Sequence, residues 1–96
     1  MADTLTDAKI SEALSNLDGW ERDGDMITRT FETDSYAAGL AVATTVGMIA
    51  DGHNHHPDMM IGYKKVTVSF TTHDEGNKIT SNDIDVATAI NSVKLG

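Results

Sequence analysis

Three of the four histidines in this 96-residue chain fall within four positions, in the stretch Asp51-Gly52-His53-Asn54-His55-His56-Pro57-Asp58, and the fourth is His73. Imidazole titrates near neutrality, so a cluster can hold a protonated and a neutral ring at one pH and supply a proton donor and a proton acceptor to the same site. Pro57 disfavours the helical region for His56, which holds the His55-His56 pair extended with its rings pointing in different directions. General acid–base catalysis is the chemistry this pattern suits, and it requires no metal or organic cofactor. The same residues also offer a metal reading, because His53 and His55 with His56 and His73 could present three or four imidazoles to zinc or nickel. Adjacent histidines followed by proline rarely aim both rings at one ion, which favours the acid–base reading.

One carboxylate stands close enough in the sequence to support the rings. Asp51 lies near the end of a helix, where a negative charge opposes the dipole, and it could orient an imidazole or favour its charged form. Asp83 closes Thr80-Ser81-Asn82-Asp83, an [ST]-x-x-[DE] capping box, and so has a structural role independent of any chemistry. His53 reads as a solvated loop residue.

The elements that must position these groups are legible from periodicity. Thr6 caps a first helix in which Ile10, Ala13, Leu14 and Leu17 recur at helical spacing, and Asp18-Gly19 ends it. Residues 20–22 and 26–32 flank Asp23-Gly24-Asp25 and read as a hairpin, with Ile27, Arg29 and Phe31 on one face and Arg29 near an edge. Asp34 or Ser35 caps a longer helix from residue 36 to about 51, whose alanine- and glycine-rich surface lets it lie close on a sheet or on another helix, and which Gly52 stops. Residues 64–72 alternate, with Val66, Val68 and Phe70 on one face and Lys65, Thr67, Ser69 and Thr71 on the other; His73 continues the second set. The final helix carries Ile84, Val86, Ala87, Ile90 and Val93. The order α-β-β-α-β-β-α predicts an α+β fold with two layers, a four-stranded antiparallel sheet covered on one face by helices. No glycine-rich phosphate loop is present, and residues 1–96 read as one domain.

Composition narrows the partners. Fifteen acidic residues against seven basic ones give a formal net charge of −8, which disfavours direct binding to a nucleic-acid backbone. Such a surface suits ordinary solvation or adaptation to a high-salt cytoplasm, where screening offsets the mutual repulsion. Cysteine is absent, so thiol catalysis and disulfides are excluded. No apolar run is long enough to span a bilayer and Met1-Ala2-Asp3-Thr4 lacks a signal-like basic region, so the expectation is a cytoplasmic protein without membrane contact. A chain this short gains stability from association, so a homo-oligomer is expected, joined at a sheet edge or along the small-residue helix around Gly39, Ala43 and Gly47.

The whole pattern resembles the pterin-4a-carbinolamine dehydratases, a family that also contains dimerisation cofactors of a homeodomain transcription factor. Its signature runs from an acidic residue through His-His-Pro to an aromatic, a histidine and an aspartate, and Asp51, His55-His56-Pro57, Tyr63, His73 and Asp83 stand at those spacings. Gly19-Trp20, Ile27, Arg29, Phe31 and Tyr36 agree upstream. The stretch Gly76-Asn77-Lys78-Ile79-Thr80 departs from the commoner Gly-Gly-Leu-Thr, Thr33 replaces a second phenylalanine, and Met59-Met60 follow the proline where an aromatic is frequent. The resemblance implies a hydro-lyase that removes water from a 4a-hydroxytetrahydropterin, with His55, His56 and His73 catalytic, Asp51, Pro57 and Asp83 supporting, no cofactor, a small-molecule pterin as substrate, and dimers or dimers of dimers. It leaves open a second reading as a binding or dimerisation module without activity.

Overall fold

The computed structural model describes residues 3–95. The chain forms α1 (Asp7–Leu14), β1 (Glu21–Asp23), β2 (Met26–Glu32), α2 (Tyr36–Gly52), β3 (Asp58–Ile61), β4 (Lys65–Phe70), a single 3-10 turn (His73–Glu75) and α3 (Ser81–Asn91). The strands make one antiparallel sheet in the order β1-β2-β4-β3. The α+β architecture and the element order expected from the sequence are those observed. Among the described residues no helix is long and apolar enough to cross a membrane.

Alternation sets the two faces of the sheet. Val66, Val68 and Phe70 of β4 are fully buried and pair with Phe31, Arg29 and Ile27 of β2. The opposite face is polar, with Thr30 hydrogen-bonded to Thr67 at 3.0 Å and Ser69 donating to Thr28 at 3.2 Å. The apolar face meets Val42, Val46 and Ala50 from α2, Val86, Ala87 and Ile90 from α3, and Ile10 from α1, in one hydrophobic cluster. Arg29 points to this covered face yet stays near an edge, because the β1 ladder ends at the Glu21–Thr28 pair. Its guanidinium lies 4.2 Å from the Phe31 ring centroid and donates to Asn91 Oδ1 at 2.5 Å. Burial lowers its pKa from the ordinary value, against the opposing pull of Asp18.

The small-residue face of α2 lies close on the sheet, as its composition suggests, and so is not the spare surface for association expected around Gly39, Ala43 and Gly47. Gly39 and Ala43 are buried, and a Cβ added at Gly39 would lie 3.5 Å from the Val66 side chain. Close approach of helix to sheet is what the small residues provide, and the outward stripe is instead Tyr36, Leu40 and Met48.

Three helix ends also differ. Helix α1 ends at Leu14, after which Asn16, Leu17 and Trp20 close successive tight turns onto carbonyls three residues back; Leu17 and Trp20 remain buried through these turns. Val93 lies beyond α3 and is exposed. Helix α2 runs through Gly52, and the left-handed residue that stops it is Asn54, at φ 51°. Asn54 N–H donates to the Asp51 carbonyl at 3.0 Å and His55 N–H to the Ala50 carbonyl at 3.1 Å, the paired bonds of a Schellman ending. Asparagine tolerates this conformation better than other residues with a Cβ.

Asn54→Val should therefore lower stability by about 1–2 kcal/mol, whereas Asn54→Gly should stay within about 0.5 kcal/mol of wild type in urea unfolding. Equal midpoints for the valine and glycine variants would show that the left-handed ending is not required.

Candidate active site

The ending of α2 is what aims the histidine pair. Its two closing bonds fix the backbone of Asn54 and His55, and Pro57 fixes the exit toward β3. From this corner the two rings diverge. His56 turns back along α2, with Nε2 2.9 Å from Asp51 Oδ1. Both partners are well exposed, and a solvated pair of this kind orients more than it stabilises.

The His55 ring goes the other way, into the fold. It stacks on Phe70 with centroids 5.7 Å apart and planes inclined by 14°, and its side chain is only 13% exposed. Its Nε2 lies 2.6 Å from Oδ1 of Asp83, a residue fully cut off from solvent. The second oxygen of Asp83 accepts the Thr80 N–H at 2.9 Å, completing the capping box, and the Thr72 hydroxyl at 3.0 Å. The Thr72 and Thr80 hydroxyls are 2.7 Å apart. Each hydroxyl has one proton to give, so with Thr72 donating to Asp83, Thr80 donates to Thr72. The Asn82 N–H donates to Thr80 Oγ1 at 3.2 Å. Among the described residues no buried side-chain nitrogen or oxygen lacks a partner. Asp83 thus combines the cap read from its spacing with an imidazole contact that spacing does not reveal.

His73 does not continue the strand. Strand β4 ends at Phe70, Thr72 points inward and is buried, and His73 opens the 3-10 turn. The physical reason lies in the Thr72 carbonyl, which accepts N–H groups from Glu75, Asn77 and Lys78 and so bends the chain at once. The His73 ring is held by Asn77, whose Oδ1 is 2.7 Å from Nδ1; Asn77 is itself left-handed, at φ 61°.

These segments enclose a cleft of about 560 Å³ lined by Asn54, His55, His56, Thr72, His73, Asp74, Glu75, Ser81 and Asn82, within the size range of small-molecule sites. The three histidines singled out by spacing all border it. Asp83 lies beneath the wall, behind His55 and Thr72, and Asp51 stands outside it, behind His56. Pro57 and His53 are not part of the lining; Pro57 shapes the corner. Each of the three rings has one nitrogen bonded to a protein oxygen, by Asp83, Asp51 and Asn77 respectively. The other nitrogen of each has no protein partner among the described residues. Nor do any three His, Asp or Glu side chains among them converge as a ligand set for an ion, so the metal reading finds no donor group. Sequence reasoning missed Thr72, Asn77 and the N-terminal residues of α3, Ser81 and Asn82. The position of Asn77 after Gly76 in a turn was the one available signal, since both residue types favour left-handed backbone.

Comparisons with known proteins place the whole chain in a family. The sequence profile of the family described as Pterin 4 alpha carbinolamine dehydratase matches residues 3–93. A protein of Roseiflexus sp. (strain RS-1) is 43% identical over 93 residues, spanning 97% of this chain and 99% of its own length. A protein of Natronomonas pharaonis is 48% identical over 87 residues, 91% of each chain. Both are named, provisionally, as pterin-4-alpha-carbinolamine dehydratases. The crystal structure of a transcriptional coactivator/pterin dehydratase from Brucella melitensis matches with a TM-score of 0.87 at 31% identity, covering 98% of this chain and 100% of that one. A pterin dehydratase-like protein described as a RuBisCO assembly factor in the alpha-carboxysome shares the fold alone, with a TM-score of 0.58 at 16% identity. A profile matched over nearly the whole sequence, and relatives this similar along their full lengths, establish that the chain belongs to the pterin-4-alpha-carbinolamine dehydratase family.

Proposed function

We propose that this protein is a hydro-lyase that removes water from a 4a-hydroxytetrahydropterin to give the quinonoid dihydropterin, in recycling of a tetrahydrobiopterin-type cofactor. The observation that carries the reading is the convergence of His55, His56 and His73 on one cleft, each with one nitrogen anchored and the other unpartnered. In the reaction the C4a–O bond breaks as a proton reaches the leaving hydroxyl, water departs, and a ring nitrogen of the pterin gives up a proton. One imidazolium and one neutral imidazole serve these two steps. His55 and His73, both in the lining of the cleft, flank the reacting edge, and His56 binds the substrate or completes the proton transfers. Asp83 orients His55 through Nε2 and Asp51 does the same for His56. No metal or organic cofactor enters this scheme, and an anchored set of three histidines is more than a purely structural binding module requires.

The same reading includes a homo-oligomer working in the cytoplasm. Strand β3 ends the sheet without a neighbour, Met60 on it is 73% exposed and Ile61 42%, and α2 presents Tyr36, Leu40 and Met48 to solvent. Apolar surface at a sheet edge and along a helix is the material of a subunit contact. A net charge of −8 per chain opposes association, and salt relieves that repulsion.

The purified protein should accelerate dehydration of a 4a-hydroxytetrahydropterin after exhaustive chelation; activity lost to the chelator and restored by a divalent metal would overturn the cofactor-free scheme. His55→Ala and His73→Ala should each lower kcat/KM by about 100-fold or more, with His53→Ala close to wild type. Equal damage from His53→Ala would mean that the histidines are misassigned. Light scattering at micromolar protein should give a mass of at least a dimer that is better populated in molar salt than in dilute buffer, and a monomer mass at both salts would refute association.

A further inference from the structure

Thr72 belongs to no histidine motif and is nearly sealed from solvent, at 4% exposure, yet it contacts both the turn that carries His73 and the carboxylate that meets His55. Its carbonyl gathers the N–H groups of Glu75, Asn77 and Lys78 into the turn that carries His73. Its hydroxyl donates to Asp83 Oδ2 at 3.0 Å, and Asp83 Oδ1 in turn meets His55 Nε2 at 2.6 Å.

The hydroxyl matters because rotation of a carboxylate about its last bond is only weakly restricted by rotamer preference. The Thr80 N–H alone, at 2.9 Å from Oδ2, leaves that plane free to swing. A second donor on the same oxygen fixes Oδ2 to the scaffold and leaves Oδ1 for the imidazole. Thr72 is itself held, since it accepts the Thr80 hydroxyl at 2.7 Å and its branched Cβ restricts its own rotation. We propose that Thr72 is a positioning residue for the dehydratase reaction: its hydroxyl sets the plane of the Asp83 carboxylate that holds the His55 ring, while its carbonyl sets the turn that carries His73. The two imidazoles are thereby placed relative to each other through one residue that does not itself exchange protons with substrate. This inference rests on the dehydratase reading, but the orientation of the ring can be followed without turnover.

The test compares Thr72→Val, which keeps the shape and removes the hydroxyl, with Thr72→Ser, which keeps the hydroxyl. Two readouts are taken: the 15N signals of the His55 ring in the substrate-free protein, and steady-state dehydration kinetics. In the valine variant the ring signals should move from the Nε2–H tautomer toward a mixture, and kcat should fall about 10- to 100-fold, as expected for loss of a hydrogen bond to a charged group. KM should stay within about threefold, and serine should restore both readouts to within about threefold. A folded valine variant with unchanged ring signals overturns the proposal, whether or not its rate falls, and so does a rise in KM at constant kcat. If valine prevents folding, Thr72→Ala removes the hydroxyl without placing a second methyl against Asp83, and the same outcomes apply. Ring signals that respond as expected in a protein without dehydratase activity would leave the positioning role standing and remove the reaction assigned to the cleft.

Discussion

The carboxylate of Asp83 is the constraint around which the rest of this molecule is arranged. A carboxylate with no solvent access is costly unless every oxygen is satisfied, and here three donors satisfy it: His55 from the corner after α2, Thr72 from the end of β4, and the Thr80 N–H at the start of α3. Each comes from a different part of the chain, so none can be removed without leaving a buried acceptor short. The bonds that start α3 and the bond that orients an imidazole are therefore one requirement. A cap of this type contributes about 1 kcal/mol to a helix, and in this fold the same group also fixes the wall of the cleft.

Much of this could be read from the sequence because it is local. The alternation of Val66, Val68 and Phe70 survives as the buried face of β4, the capping box at Thr80 is present as spaced, and the three histidines expected to act together do border one cleft. What could not be read is whatever depends on distant parts of the chain meeting. His55 and Asp83 are 28 residues apart, and no periodicity pairs them. The continuation of β4 to His73 failed because pattern alone does not see that the Thr72 carbonyl collects three N–H groups and turns the chain. The ending of α2 was misplaced by two residues for a related reason, since glycine is the commoner left-handed residue and Gly52 precedes the asparagine that takes the role.

The composition of α2 suggests close packing on a sheet or on another helix, and also a surface for association, and the first use leaves no room for the second. Glycine and alanine at positions 39 and 43 do permit a close approach, but the partner is the chain's own sheet, reached through Val66. That choice sets the depth at which α2 lies and hence where its last turn delivers His55 over Phe70. The exposed stripe of larger apolar residues is the geometric remainder of the same packing.

The two outer strands of the sheet are unequal. Strand β1 presents Glu21, Arg22 and Asp23, all exposed, whereas β3 carries Met59, Met60 and Ile61 after its single Asp58. Charged residues on an edge discourage another strand from adding there. A sheet open on one side and guarded on the other can be extended by a two-fold axis only once, because the two open edges consume each other and the new boundaries are both guarded. Growth by strand addition at β3 would then close at two copies instead of running on into a fibre, with the short charged β1 as the guard on the far side of the molecule.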